Sequence, residues 1–141
     1  MKKHWMALAT VLLLSLLSKA QTFQQLNDQF IELYQQGKYK AAIPIGEKAL
    51  VLAKKEFGDA HLNYAIAAEN LANAFDHDNN IVPALRYFQL AKKTYITVAG
   101  EDIIEVGLAN NSIGNLYLRQ PVYDSALHYF VQSYNYFLKY P

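Results

Sequence analysis

The sequence predicts an all-α fold, an α-solenoid of three helix–turn–helix units that follows a cleaved signal peptide. Three observations lead to this prediction. Residue types recur at a spacing of 42, apolar residues follow helical periodicity within the units, and the 141 residues include only 6 Gly and 4 Pro. A turn-rich β fold would need more of those two residues, so it is disfavoured.

The first twenty residues have the pattern of a secretory signal peptide. Lys2 and Lys3 give a positive start, residues 5–17 are uncharged and mostly apolar, and the small residues Ser18 and Ala20 end the run. A membrane-spanning helix needs about 20 apolar residues, which is more than this run supplies. We therefore expect cleavage after Ala20 and export to a periplasm or out of the cell, with an uncleaved membrane anchor as the alternative.

Composition excludes several classes of function. The chain has no cysteine, which excludes disulfide scaffolds, cysteine-based zinc sites and thiol catalysis. The formal charge of the whole chain is +1, and removal of the three lysines in the first twenty residues leaves an acidic excess of two. Nucleic-acid binding is therefore not predicted, because it needs a basic excess.

Several columns of residues recur in one register of 42. A small residue in the second half of each unit stands at Ala42, Ala84 and Ala126. A large residue in the first half stands at Leu33, Phe75 and Tyr117. Agreement among several columns indicates a structural repeat, with units at about 22–59, 60–101 and 102–141. Residues 21–141 are therefore predicted to form one repeat domain.

The first unit is predicted to contain helices over residues 22–36 and 39–56. Gly37 separates them, since glycine suits the left-handed conformation that ends a helix. Gly58 ends the second helix in the same way. The acidic Asp59 after it is expected to lie at the positively polarised start of the next helix.

The second unit is predicted to contain helices over residues 60–77 and 81–98, joined by a short polar turn. In the second of these helices Ala84, Leu85 and Phe88 follow the spacing of one helical face. The junction after this unit repeats the first one, with a glycine followed by an acidic residue.

The third unit is predicted to contain helices over residues 102–119 and 123–139. Pro121 ends the first of them. The second is crowded with aromatic residues on more than one face, although the end of a solenoid normally needs a polar outer face. Three explanations stay open: further repeats follow this helix, it forms a homodimer, or tyrosine tips tolerate water at the surface.

Eight positions are predicted to pack the helices of a unit together. They are Leu33, Ala42, Phe75, Ala84, Phe88, Tyr117, Ala126 and Phe130. The alanines allow two helices to approach closely, and the large side chains fill the space above them. Neither helix of a unit can bury its apolar face alone, so the units are expected to stack.

This pattern resembles the tetratricopeptide repeat. Units two and three match the positions of that repeat at Leu71, Ala72, Phe75, Ala84, Phe88 and Ala91, and at Ile113, Gly114, Tyr117, Ala126, Phe130 and Ser133. The period of 42 and the Phe-Gly-Asp-x-His junction at residues 57–61 are similar to the kinesin-light-chain subtype. Unit one departs from the pattern at Gln29, Phe30 and Gly46, as suits a terminal unit.

The resemblance implies a right-handed solenoid that acts as a binding scaffold and not as an enzyme. In this family the first helices line a concave groove that grips an extended peptide or a helix. The corresponding positions in this chain are Asn27, Tyr34, Glu69, Asn73, Asp76, Asn111, Asn115 and Leu118, with His77 and Arg119 at the rim. Asparagine can both donate and accept hydrogen bonds, and Arg119 can fork onto a carboxylate. The alternative is a solvated polar face.

No cofactor, metal or catalytic residue is predicted. A calcium loop counted from Asp76 fails, because its sixth and twelfth positions hold Ile81 and Tyr87 instead of Gly and Glu. The histidines lack the spacing of a zinc protease, and the serines lack a nucleophile elbow.

The predicted function is therefore that of an exported scaffold for a protein or peptide partner, with no membrane segment after signal cleavage. Two alternatives stay open. The chain would be the extracytoplasmic sensor or regulatory segment of a longer signalling protein, a layout that resembles many bacterial signalling proteins. It would otherwise be a self-associating repeat module that pairs through residues 123–139.

Overall fold

A computed structural model describes residues 21–140, and this part of the chain is entirely helical. Its six helices are α1 (Phe23–Gln35), α2 (Tyr39–Phe57), α3 (Leu62–His77), α4 (Ile81–Ala99), α5 (Ile104–Arg119) and α6 (Tyr123–Lys139). Every boundary lies within two residues of the prediction from sequence. The predicted signal peptide, residues 1–20, lies outside the described residues.

The glycines end their helices as predicted. Gly37, Gly58 and Gly100 have φ angles of 70°, 90° and 87°, which residues with a side chain rarely adopt. The expected role of Asp59 at a helix start was wrong. The ring of His61 caps α3 by accepting a hydrogen bond from the Asn63 N–H at 3.1 Å, and Asp59 instead lies 3.6 Å from the Lys54 ammonium.

Each helix packs against the next one in the chain. The alanine column at Ala42, Ala84 and Ala126 is buried, and Phe88 is buried beside it. The other large residues of the predicted packing set are half-buried; they are Leu33, Phe75, Tyr117 and Phe130. The small side chains are therefore enclosed between packed helices.

Unit one exchanges large and small residues between its two helices. Its first helix has Phe30 where α3 has Ala72, and its second helix has Gly46 where α4 has Phe88. A Cβ atom on Gly46 would lie 3.0 Å from the Phe30 ring, so the glycine makes room for that ring. The departures of unit one thus keep the same volume at the crossing, one ring against one small residue.

The two ends of the helix stack differ in polarity. Gln25, Gln29 and Glu32 on α1 are exposed, although the residues 42 positions later on α3, which include Leu71, are buried. At the other end, α6 exposes a row of large side chains that we call the α6 stripe: Tyr123, Leu127, Val131, Tyr134 and Leu138. The residues 42 positions earlier on α4 include Ile81, Leu85 and Ile96, which pack against cores that contain α5 residues.

Candidate binding face

Helices α1, α3 and α5 lie side by side, and polar contacts join them. The Asn70 Nδ2 of α3 donates to the Asn27 Oδ1 of α1 at 3.0 Å. The Arg119 guanidinium of α5 donates to Asp76 of α3. We call the surface formed by these three helices, which carries the predicted groove positions, the first-helix face.

Two parallel rows of side chains form most of the first-helix face. The row on α3 is Leu62, Ile66, Glu69, Asn73 and Asp76. The row on α5, at the same register 42 residues later, is Ile104, Leu108, Asn111, Asn115 and Leu118. Steps of four and three residues place each row along one side of its helix. The face is thus apolar at one end and has Glu69 and amide groups in the middle, and its rows finish at Asp76 on α3 and Leu118 on α5.

Three asparagine side chains lie in the middle of the face. Asn111 and Asn115 are exposed, and Asn73 is half-buried. None of the three side chains forms a hydrogen bond with another group of residues 21–140. Each of these amides can both donate and accept, which suits the alternating N–H and C=O groups of an extended backbone.

The carboxylate of Glu69 is held in place from beneath the face. The Tyr95 hydroxyl donates to Glu69 Oε2 at 2.6 Å. Burial of the phenol, together with this hydrogen bond and the negative charges of Glu69 and Glu105, raises the pKa of Tyr95 well above its ordinary value. Tyr95 therefore stays a donor, and it holds one oxygen of the Glu69 carboxylate.

The end of the face that carries Asp76 is bridged within the chain. The Arg119 guanidinium donates to Asp76, and its Nη2 also donates to Asn79 Oδ1 at 3.0 Å. The Arg119 guanidinium, which was predicted to bind a partner's carboxylate, thus donates to two side chains of the preceding unit. A partner's carboxylate at this place would compete with Asp76 for Arg119.

Three aromatic rings form a cluster at the rim of the face. His77 is stacked on Tyr39 with ring centroids 4.7 Å apart, and it meets Tyr34 edge-on at 5.4 Å. Burial raises the pKa of Tyr34, with smaller contributions from Tyr39 and Asp76. The predicted rim position of His77 therefore lies beside the predicted groove position of Tyr34.

Sequence reasoning missed some members of this surface. Tyr39 is absent from the predicted positions, although its place just after the Gly37 turn puts it next to the rim. The apolar residues Ile66 and Leu108 were also missed; both are exposed and stand three residues before Glu69 and Asn111. Helical spacing from the predicted polar positions would have found them.

Residues 21–140 contain no group of three or more His, Asp or Glu side chains arranged to hold a metal ion. None of the helices in this segment is long and apolar enough to cross a membrane.

Part of the chain matches a known family of repeats. Residues 32–97 match the tetratricopeptide repeat family, over the end of α1, all of α2 and α3, and most of α4. This match supports a tetratricopeptide repeat protein, a class whose repeats generally mediate protein–protein interaction and typically lack enzymatic activity. No curated protein is significantly similar to the chain in sequence.

Proposed function

We propose that this protein is an exported scaffold whose first-helix face binds an extended peptide or a segment of a partner protein. The observation that supports this most is the pair of rows on α3 and α5, which run in the same register along one surface. The amides of Asn73, Asn111 and Asn115 in the middle of these rows make no hydrogen bond with other groups of residues 21–140. The repeat resemblance assigns ligand binding to the same positions.

The chemistry of the face suggests what a ligand would present. Apolar side chains would lie on Leu62, Ile66 and Leu108, which are all exposed. The backbone next to them would hydrogen-bond to the asparagines. A basic or polar group would suit the carboxylate of Glu69, since Asp76 is already paired with Arg119.

A capture experiment in the native source tests this function. The protein carries a tag just after Ala20, and mass spectrometry identifies the recovered proteins. We expect discrete partners with the wild type and their loss with Asn73→Ala/Asn115→Ala. Glu47→Ala/Gln89→Ala is the matched control, because both residues are exposed on the second helices in equivalent positions. Equal capture by the wild type and the asparagine variant would contradict the proposal.

Export is the second part of the proposal and rests on residues 1–20 alone. The charged start, the apolar run and the small residues before Gln21 support signal cleavage. N-terminal sequencing of the protein from its native source tests it. A chain that starts at Gln21 in an extracytoplasmic fraction is expected, and a chain that retains Met1 in the cytoplasm would contradict export.

We further propose that two copies associate through the α6 stripe. Four of its residues, Tyr123, Leu127, Tyr134 and Leu138, are more than 60% exposed, which is unusual for a row of large side chains. Head-to-tail stacking would place the stripe on the polar outer side of α1. A two-fold pair, in which one stripe covers the other, instead joins two apolar surfaces.

A further inference from the structure

Residues of α4, α5 and α6, with Glu101 and Asp102 of the loop before α5, line a cleft of about 370 Å³. Its wall combines the apolar Ile96 and Val106 with polar groups such as Lys92 and Asn110. None of these residues belongs to the first-helix face. A volume of this size is at the lower end of the range for small-molecule sites.

The repeat supplies an internal reference for this cleft. A second cleft, of about 310 Å³, occurs between α2, α3 and α4, and its lining stands 42 residues earlier. In this earlier register the chain has Leu50, Ala68 and Leu90, all of which belong to or pack on the apolar core. The larger cleft has polar residues at the same three columns, Lys92, Asn110 and Gln132. Apolar residues at these three columns are thus compatible with the fold. The polar residues of the larger cleft need an explanation other than folding.

Lys92 carries a charge in the cleft that no carboxylate of residues 21–140 neutralises at close range. Its ammonium is half-buried, donates to Asn110 Oδ1 at 3.1 Å and lies 4.9 Å from the centre of the Tyr129 ring. Burial lowers the pKa of Lys92, and the charge of Glu101 only partly opposes this. No carboxylate of residues 21–140 lies within 4.0 Å of the Lys92 ammonium. The Lys92 ammonium therefore has N–H groups that donate to no carboxylate of residues 21–140.

The other charges at the cleft limit what can bind. Lys139 donates to both oxygens of Asp102, at 2.9 and 3.0 Å, so these two charges offset each other. Glu101 remains at the exposed edge and disfavours a doubly charged anion. One unpaired ammonium matches one negative charge, and the apolar wall formed by Ile96 and Val106 suits an aliphatic portion.

We propose that this cleft binds a small monocarboxylate with an apolar portion. The carboxylate accepts hydrogen bonds from the Lys92 ammonium and the Asn110 amide, and the aliphatic portion lies against Ile96 and Val106. The site shares no residue with the rows of the first-helix face, although α5 contributes side chains to both.

Titration with butyrate, followed by NMR of the amide groups, tests the proposal. We expect saturable shifts, with millimolar affinity for so small a probe, confined to the lining residues of α4, α5 and α6. Butyramide is the uncharged control and is expected to produce no saturable shift at the same concentrations. Absence of butyrate shifts, or shifts elsewhere on the protein, would overturn the proposal. Binding of inorganic phosphate without binding of butyrate would overturn the class of ligand.

The matched variant is Lys92→Leu/Asn110→Ala, which copies Leu50 and Ala68 from the other cleft. It is expected to weaken butyrate binding at least about tenfold and to raise Tm by about 2 °C or more, since it removes a half-buried charge that the fold does not need. Equal butyrate binding by this variant would overturn the site. If the double variant does not fold, Asn110→Ala alone replaces it, and equal butyrate binding by Asn110→Ala would likewise overturn the site. The wild-type titration locates the site without any variant.

Discussion

At the scale of single residues, the structure explains why unit one departs from the repeat. Sequence comparison by column shows Phe30 and Gly46 as two separate mismatches. In the structure they are one compensated exchange, because the ring of Phe30 occupies the space that a larger residue at 46 would need. Column matching treats each helix alone, so it cannot detect a volume that two helices share.

The exchange predicts strong coupling between the two positions. Phe30→Ala is expected to cost about 3–5 kcal/mol of unfolding free energy through the cavity it leaves. Gly46→Phe is expected to cost about 1–3 kcal/mol through overpacking. The double variant copies Ala72 and Phe88 of unit two. Its loss of unfolding free energy is expected to be about 2 kcal/mol smaller than the sum of the two single losses. Urea unfolding of the four proteins measures this, and additive losses would contradict the shared-volume explanation.

The hydrogen bond between Tyr95 and Glu69 predicts a dependence on pH. A tyrosine whose pKa is raised by folding stabilises the protein below its unfolded pKa of about 10, and this contribution is lost as the pH rises beyond that value. At pH 7 the free energy of unfolding of the wild type is therefore expected to be about 1–2 kcal/mol larger than that of Tyr95→Phe. The difference should shrink between about pH 10 and 11. Urea unfolding at each pH tests this, and a difference that stays constant would show that burial of the phenol does not control its ionisation.

At the scale of helices, the sequence predicted nearly everything that local chemistry decides. The glycine ends, the proline stop and the apolar spacing placed all six helices to within two residues. The start of α3 was harder to predict from the sequence, because its cap is the His61 ring and not an acidic residue. Histidine is an unusual N-cap, and its role depends on a ring orientation that spacing does not reveal.

Close approach of α3 and α4 predicts sensitivity at Ala84, which is fully buried. Ala84→Leu is expected to lose about 1–3 kcal/mol, since three added carbon atoms must fit between packed helices. Ala41→Leu is the control at an exposed position of α2, and it should stay within about 0.5 kcal/mol of wild type. Thermal and urea unfolding compare them, and equal stability of the three proteins would contradict the packing register.

At the scale of the whole molecule, the two ends of the described helix stack differ in polarity. Glutamine and glutamate residues make the outer side of α1 polar, and the α6 stripe makes the other end apolar. The sequence predicted a crowded aromatic end but left its partner open. The candidate site was partly predictable: register located the asparagines, but only the structure showed that Asp76 and Asn79 already engage Arg119.

The α6 stripe predicts concentration-dependent dimers. Leu127→Lys/Tyr134→Lys is expected to give monomers, because it places two charges in the centre of the paired surfaces. Sedimentation velocity over a range of concentrations measures this. The charge control is Gln25→Lys/Gln29→Lys on the polar side of α1, which should dimerise like the wild type. Wild-type protein that stays monomeric throughout would contradict the two-fold pairing.

The central claim is that the first-helix face is the surface that binds peptides. Selection from a displayed peptide library, followed by measurement of Kd for the selected peptides, tests it most directly. We predict that Asn73→Ala/Asn115→Ala weakens binding at least about tenfold, a loss of about 1.4 kcal/mol, and that Glu47→Ala/Gln89→Ala leaves Kd within about twofold of wild type. Peptides that bind both variants as tightly as the wild type, or no selected peptide at all, would contradict the claim.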